Sequence, residues 1–141
     1  MTTRMSQGEK EAFLADLHVG VLSLNQPNRA PLTVPVWYDY RPGGELWFLT
    51  GADSRKGKLL AVGAHVSLCA QTESPPYRYV SVEGVVTRVA PSDKEKESRP
   101  MAHRYLGRKE GDRYTDHGPS EGSVTVRVRP ERWLAVDYGK L

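Results

Sequence analysis

The residues best suited to chemistry lie between Thr50 and Lys58, in the run Thr-Gly-Ala-Asp-Ser-Arg-Lys-Gly-Lys. Two hydroxyls, Thr50 and Ser54, and three cations, Arg55, Lys56 and Lys58, fall within this one stretch. Hydroxyls, ammonium and guanidinium groups, and the free backbone N–H groups of a helix start all donate hydrogen bonds to anions. Such bonds are about twice as strong as neutral ones. The set suits a phosphate monoester. It suits equally a solvated basic helix with an ordinary serine cap, so the pattern alone leaves both readings open.

Other catalytic constellations are thin. His18, His65, His103 and His117 show no metal-ligand spacing. The chain contains no Gly-x-Ser-x-Gly elbow, phosphate-binding Walker loop or Gly-x-Gly-x-x-Gly fingerprint. Asp39, Glu45 and Glu83 suggest no paired-carboxylate site, and the single cysteine, Cys69, falls in an apolar strand pattern as a buried thiol. An enzyme without its own acid–base groups borrows reactivity from a cofactor, which points to redox chemistry on a bound ring system. Trp37, Tyr77, Tyr79 and Trp133 offer walls for a flat heterocycle, with Arg78 as a neighbouring cation. Each ring taken singly is equally at home in a core or an interface.

The elements that must position these groups can be read along the chain. Ser6-Gln-Gly-Glu9 is a capping box that opens a helix over 7–17, with Phe13, Leu14 and Leu17 on one face. Strands follow over 19–24, 31–40 and 45–50, separated by an Asn-Gln-Pro-Asn turn and a Pro42-Gly43-Gly44 turn. Pro35 cannot donate to a ladder, which assigns its strand to an edge or a bulge. It reads either as a guard against edge-to-edge aggregation or as a place where something other than a strand sits. Asp53 or Ser54 caps a short helix for which Gly63 is the expected terminator. Strands over 65–72 and 78–89 come next, with a bulge at Gly84. A second capping box, Ser92-Asp-Lys-Glu95, opens a helix that Gly107 ends; residues 108–122 lack periodicity and read as a mobile loop. Val124, Val126 and Val128 alternate with polar residues as a strand, Pro130 breaks it, and a last strand runs over 133–138.

Six or seven strands in meander order with inserted short helices close most naturally as an antiparallel barrel. At 141 residues, with 38% hydrophobic and 26% charged residues, the chain is a single globular domain, residues 1–141. No apolar run is long enough for a membrane-spanning helix, and the N-terminus lacks a signal-peptide pattern. A cytoplasmic protein with no membrane partner is expected, and one cysteine agrees with it. The net charge of +3 is scattered, and the basic strand of Arg127, Arg129 and Arg132 alternates with valines as a solvated face. No nucleic-acid partner is expected.

Four segments together carry a resemblance. Pro31-x5-Trp37-Tyr38, Glu45-Leu-Trp-Phe-Leu-Thr50, Ser54-x-Lys56 and Tyr79-Val-Ser-Val-Glu-Gly84 occur in this order. The chain resembles the pyridoxamine 5′-phosphate oxidase-like split β-barrels, and within them the small flavin- and deazaflavin-dependent oxidoreductases. The resemblance implies a homodimer with FMN or coenzyme F420 at the interface and hydride transfer to or from a small unsaturated organic substrate. It places the cofactor phosphate on Thr50, Ser54, Arg55 and Lys56, with Lys58 standing in for an asparagine of the family's helix. The ring is placed against the strand Val34, Pro35, Val36 and Trp37, and partner contributions come from Gln71, Tyr79 and Trp133. No metal site and no catalytic side chain is implied. A non-catalytic carrier of a flavin-like or haem ligand is the alternative.

Overall fold

The computed structural model describes residues 2–118 and 121–141. In chain order they form α1 (Gln7–Ala15), β1 (Gly20–Gln26), β2 (Arg29–Val36), β3 (Asp39–Tyr40), β4 (Leu46–Gly51), α2 (Arg55–Leu59), β5 (His65–Gln71) and β6 (Arg78–Pro91). A π-helical turn (Lys94–Ser98), α3 (Arg99–His117), β7 (Ser123–Asp137) and a closing 3₁₀ turn (Tyr138–Lys140) follow. All seven strands join one antiparallel sheet in the order β2-β1-β5-β6-β7-β4-β3.

The two long strands make this a split barrel. β6 and β7 pair from Arg78↔Asp137 to Pro91↔Val124, with register shifts at Glu83/Gly84 and Val86/Arg88. Such irregularities bend a ladder and increase its twist, so one pair of strands can serve two halves of the sheet. The first half carries β5, β1 and β2; the second carries β4 and β3. Pro130 does not end the strand as expected from sequence. It sits opposite Gly84 at the irregularity, where Glu131 is left without a partner, and a proline is tolerated at such a position. A side chain at Gly84 would meet Val128 Cγ1 and the Arg129 carbonyl, which explains the glycine.

Alternation sorts the two faces. Across β2, β1, β5, β6 and β7, the row Val34, Leu22, Leu68, Val82 and Trp133 faces inward. The adjacent row Pro35, Val21, Cys69, Ser81 and Leu134 faces outward, and there Leu134 is 61% exposed. Tyr38, Phe48, Leu14, Leu22 and Leu68 fill the interior. The buried Tyr38 hydroxyl donates to the Leu14 carbonyl at 2.7 Å, and burial pushes its acidity well out of the ordinary phenol range.

The first capping box is present: Ser6 Oγ accepts from Glu9 N–H at 3.1 Å, and Glu9 Oε1 accepts from Ser6 N–H at 2.9 Å. α1 stops at Ala15, two residues short of the expectation, where acidic Asp16 turns extended; a carboxylate is unfavourable at the negative end of a helix. The second box is displaced. Asp93 Oδ1 accepts from Glu95 and Lys96 N–H, and Glu97, not Glu95, reaches back to Asp93 N–H at 2.8 Å. The wider π-turn moves the reciprocal residue four positions on. Gly63 does not terminate α2, which is capped at Leu60; at φ 92° it forms the turn into β5.

The largest departure concerns residues 108–122. Residues 108–117, expected as a mobile loop, are helical. Gly107 (φ 80°, ψ 173°) reverses the chain inside α3, making a helical hairpin with a first arm at 99–106 and a second at 108–117. Pro119 and Ser120, within that expected loop, lie outside the described residues. The arms meet through small residues: a Cβ on Gly111 would lie 2.8 Å from His103 N and 2.9 Å from the Ala102 carbonyl carbon.

Candidate functional site

A cavity of about 390 Å³ opens between the end of β2, the end of β4, α2 and the α3 hairpin. Pro35 and Val36 line it from β2 and Trp37 from just beyond; among the described residues β2 is an edge strand with no neighbour beyond β1. The edge position expected from Pro35 is what the sheet shows. Leu49, Thr50 and Gly51 line it from β4, and Lys56 from α2.

The Thr50–Lys56 corner is shaped by one hydroxyl. Ser54 Oγ accepts from Gly57 N–H at 2.9 Å, capping α2, and donates to the Gly51 carbonyl at 2.7 Å. Its only proton being committed there, the 3.2 Å contact with Thr50 Oγ1 is donated by Thr50. Thr50 can turn that proton to an anion in the cavity; Ser54 acts as the brace behind it. α2 is held tightly against the strand end, since a Cβ at Gly57 would collide with the Gly51 carbonyl oxygen and lie 2.9 Å from that of Ala52. Only five residues long, α2 contributes little macrodipole, so the anion-binding character rests on side chains.

Lys56 is half-buried, and burial lowers the pKa of its ammonium below the ordinary lysine value. Among the described residues it has no carboxylate partner within ion-pair distance. A partly desolvated cation with no carboxylate partner, on the same cavity wall as a hydroxyl that can turn its proton away from Ser54, fits a phosphate group. Lys94 and Ser98 add a second cation and hydroxyl to the lining, and Glu121 is its one carboxylate among the described residues.

The remaining sequence candidates divide clearly. Val34 faces inward and packs against the core. Arg55 is exposed and donates through Nε to Gln26 Oε1 at 3.1 Å, and Lys58 is exposed; neither lines the cavity. Gln71 and Tyr79 pair across β5 and β6 away from the cavity. Trp133 faces inward, its ring 6.0 Å from that of Tyr40, and Tyr77 is 50% exposed. The Arg78 guanidinium lies over Phe13, 5.1 Å from the ring centre. Within one chain, then, only Pro35, Val36, Trp37, Thr50 and Lys56 of the candidates share the lining, with Ser54 braced directly behind.

The hairpin supplies a wall that sequence reasoning missed: Met101 and Ala102 from its first arm, Tyr114 and Thr115 from its second. Trp37 stacks on Tyr105 with ring centres 5.0 Å apart and planes 5° from parallel, and meets Tyr114 at 5.5 Å and 50°. A signal was available. Arg99 and His103 are spaced i, i+4, as are Asp112 and Asp116, two complementary stripes on either side of a glycine.

This sheet order, bent about two long strands with a cavity at the free edge of β2, is that of the pyridoxamine 5′-phosphate oxidase-like split barrels. Residues 6–137 match the pyridoxamine 5′-phosphate oxidase family, and the chain belongs to it. The fold is similar to that of the conserved hypothetical protein Rv2991 from Mycobacterium tuberculosis. The two are 25% identical over 99% of this chain and 89% of that one, with a TM-score of 0.78. An F420 reductase is 22% identical over 88% of this chain and 94% of its own, with a TM-score of 0.73. An FAD-binding protein from Mesorhizobium loti is 18% identical over 93% of this chain and 94% of its own, with a TM-score of 0.65. At these identities the last two show a shared fold. No curated protein sequence matches significantly.

Proposed function

We propose that the chain binds a phosphate-bearing flavin or deazaflavin, FMN or coenzyme F420, in the β2–β4–α2 cavity and moves a hydride between it and a small unsaturated organic substrate. The observation that carries this reading is the pairing of an unpartnered, half-buried Lys56 and the Thr50 hydroxyl with a free strand edge on one cavity wall. Membership of the pyridoxamine 5′-phosphate oxidase family supports it, as does the fold shared with an F420 reductase and an FAD-binding protein. When bound, such a cofactor supplies the hydride chemistry, which no side chain can supply. Lys56 and Thr50 hold the phosphate, the edge from Pro35 to Trp37 faces the ring, and Met101, Ala102 and Tyr114 exclude water from it.

A homodimer is part of the proposal. Val21 and Leu134 on the outward sheet face are 37% and 61% exposed, and Gln71 and Tyr79 belong to that same face. In a dimer through this face, Gln71 and Tyr79 serve the cavity of the other copy.

Titration of the purified chain with FMN, FAD and F420, followed by flavin or deazaflavin fluorescence, tests the reading. Binding of FMN or F420, with reduction of quinone, nitro or enone acceptors, is expected. Absence of binding at concentrations on the order of 100 μM, where affinity is already weak, refutes it. Binding without turnover of any acceptor would make the chain a ligand carrier instead.

A further inference from the structure

Among the described residues, the hairpin that walls the cavity is hydrogen-bonded to the barrel through one arm only. In the first arm, Arg104 donates to the carbonyls of Tyr38, Ala15 and Asp16 at 3.0, 3.1 and 3.0 Å. The Tyr105 hydroxyl accepts from Tyr38 N–H at 3.0 Å and donates to the His18 carbonyl. Met101 and Ala102 of this arm are buried, Ala102 beneath Gly111 of the second arm.

The second arm, among the described residues, makes no hydrogen bond to the barrel. It is held to the first arm: Arg99 reaches Asp112 at 3.0 Å and Asp116 at 2.7 Å, and His103 Nε2 lies 2.6 Å from Asp112 Oδ1. These pairs are open to solvent, with the aspartate side chains 42% and 51% exposed. Between the arms, Gly107 has a conformation that favours glycine, in open space with no atom within 4 Å of where a side chain would begin. Tyr114 and Gly118 line the main cavity and also a broader cleft of about 600 Å³ on the other side of the arm. A thin partition therefore separates two spaces, held besides the ion pairs by Gly111 on the first arm's backbone and by Tyr114 on Trp37.

We propose that the second arm is a gate on the cavity, turning about Gly107 and latched by Arg99 and His103 onto Asp112 and Asp116, so that a planar ligand enters and leaves past Tyr114. The proposal rests on the reading of this cavity as a cofactor site. Elements with few buried contacts open locally, and the open population sets their amide exchange.

Hydrogen exchange on the ligand-free chain tests the hinge. Amides of 108–117 should exchange faster than those of 99–106. The Asp112→Asn, Asp116→Asn double variant should raise exchange in the second arm alone, by roughly tenfold for the loss of several exposed ion pairs acting together. Equal protection of both arms, or equal loss in both on double substitution, would make the hairpin one rigid unit and overturn the gate. In case the double variant unfolds the hairpin, a second variant joins Arg99→Cys to Asp116→Cys by a short bismaleimide, in a Cys69→Ser background. Stopped-flow binding of FMN should then slow in both directions by about tenfold or more on bridging, as for a lid-limited step, with the dissociation constant nearly unchanged. Unchanged rates overturn the gate. A chain that takes up neither FMN nor F420 refutes the cofactor reading, and the exchange comparison still decides the hinge.

Discussion

Replacing Lys56 with methionine should act in opposite directions on the free and the loaded protein. In the free chain the ammonium is half-buried and unpartnered, and burial disfavours its charged form. Methionine keeps most of the apolar stem and removes the charge, so the free variant should be as stable as the parent or slightly more so. In the loaded chain a hydrogen bond to a charged group is lost, a difference of about 1.5–3 kcal/mol. That corresponds to roughly ten- to a hundredfold in dissociation constant. The two effects are separable by thermal melting with and without cofactor. At a ligand concentration about 100 times the parent's dissociation constant, binding stabilises the parent by about 2.7 kcal/mol. For a domain of this size that raises Tm by about 10 °C. A hundredfold weaker variant under the same conditions gains only about 0.4 kcal/mol, or about 2 °C. Calorimetric titration gives the constants directly. Equal ligand-induced shifts in both proteins would remove Lys56 from the phosphate site, and a free variant destabilised by more than about 1 kcal/mol would show that the ammonium is not left unpaired.

Three other substitutions probe the supports of the site. Gly57→Ala forces α2 off the end of β4 and should cost about 1–3 kcal/mol by urea unfolding together with most cofactor affinity; a change of a few tenths would show that α2 is free to move. His18 stacks on Phe13 at 4.4 Å with Nε2 3.0 Å from the Phe13 carbonyl, and burial lowers its pKa from 6.5. Because the unfolded chain then binds the proton more tightly, stability should fall as pH drops from about 6.5 towards the lower folded value. His18→Gln should flatten that dependence, and an unaltered pH profile of the urea midpoint would refute the assignment. Leu134→Glu places a charge on the outward sheet face and should turn a dimer into a monomer by light scattering after gel filtration; an unchanged mass would exclude this face as the interface.

The parts of the fold that were legible from sequence are those where local chemistry and tertiary need agree. Ser6 and Glu9 cap one another wherever the helix goes, and Pro35 belongs at an edge because it has no proton to donate. Val124, Val126 and Val128 alternate because one face of β7 is buried. Apolar periodicity missed the hairpin's second arm for a definite reason. Its buried positions are Gly111 and Thr115, which carry almost no apolar signal, and the arm is held by ion pairs to residues more than a helical turn away in sequence. Apolar periodicity reports helices that bury side chains; this one buries backbone against backbone. The displaced capping box failed differently, because a π-turn changes the spacing on which the motif depends. Residue types pointed to Thr50 and Lys56, which both line the cavity, while the commitment of Ser54's proton to Gly51 and of Arg55 to Gln26 depends on distances that no spacing rule contains.

The two sequence readings of Pro35, aggregation guard and ligand-facing edge, describe one physical requirement. A free strand edge that lines a cavity offers its backbone to any extended chain as readily as to a planar ligand. Proline removes one N–H from that edge and so weakens pairing with a strand, yet leaves its carbonyl and the neighbouring backbone groups available. Just past it, Trp37 is clamped flat against Tyr105, whose hydroxyl takes the N–H of Tyr38 as the chain leaves β2. The edge is thereby stopped from growing into a longer ladder at its C-terminal end. At that end of β2, Pro35 and Val36 line the cavity together with Lys56 and the hairpin. The edge is kept unpaired by the residues that shape it, and that condition is what the proposed cofactor site demands of a sheet that ends at β2.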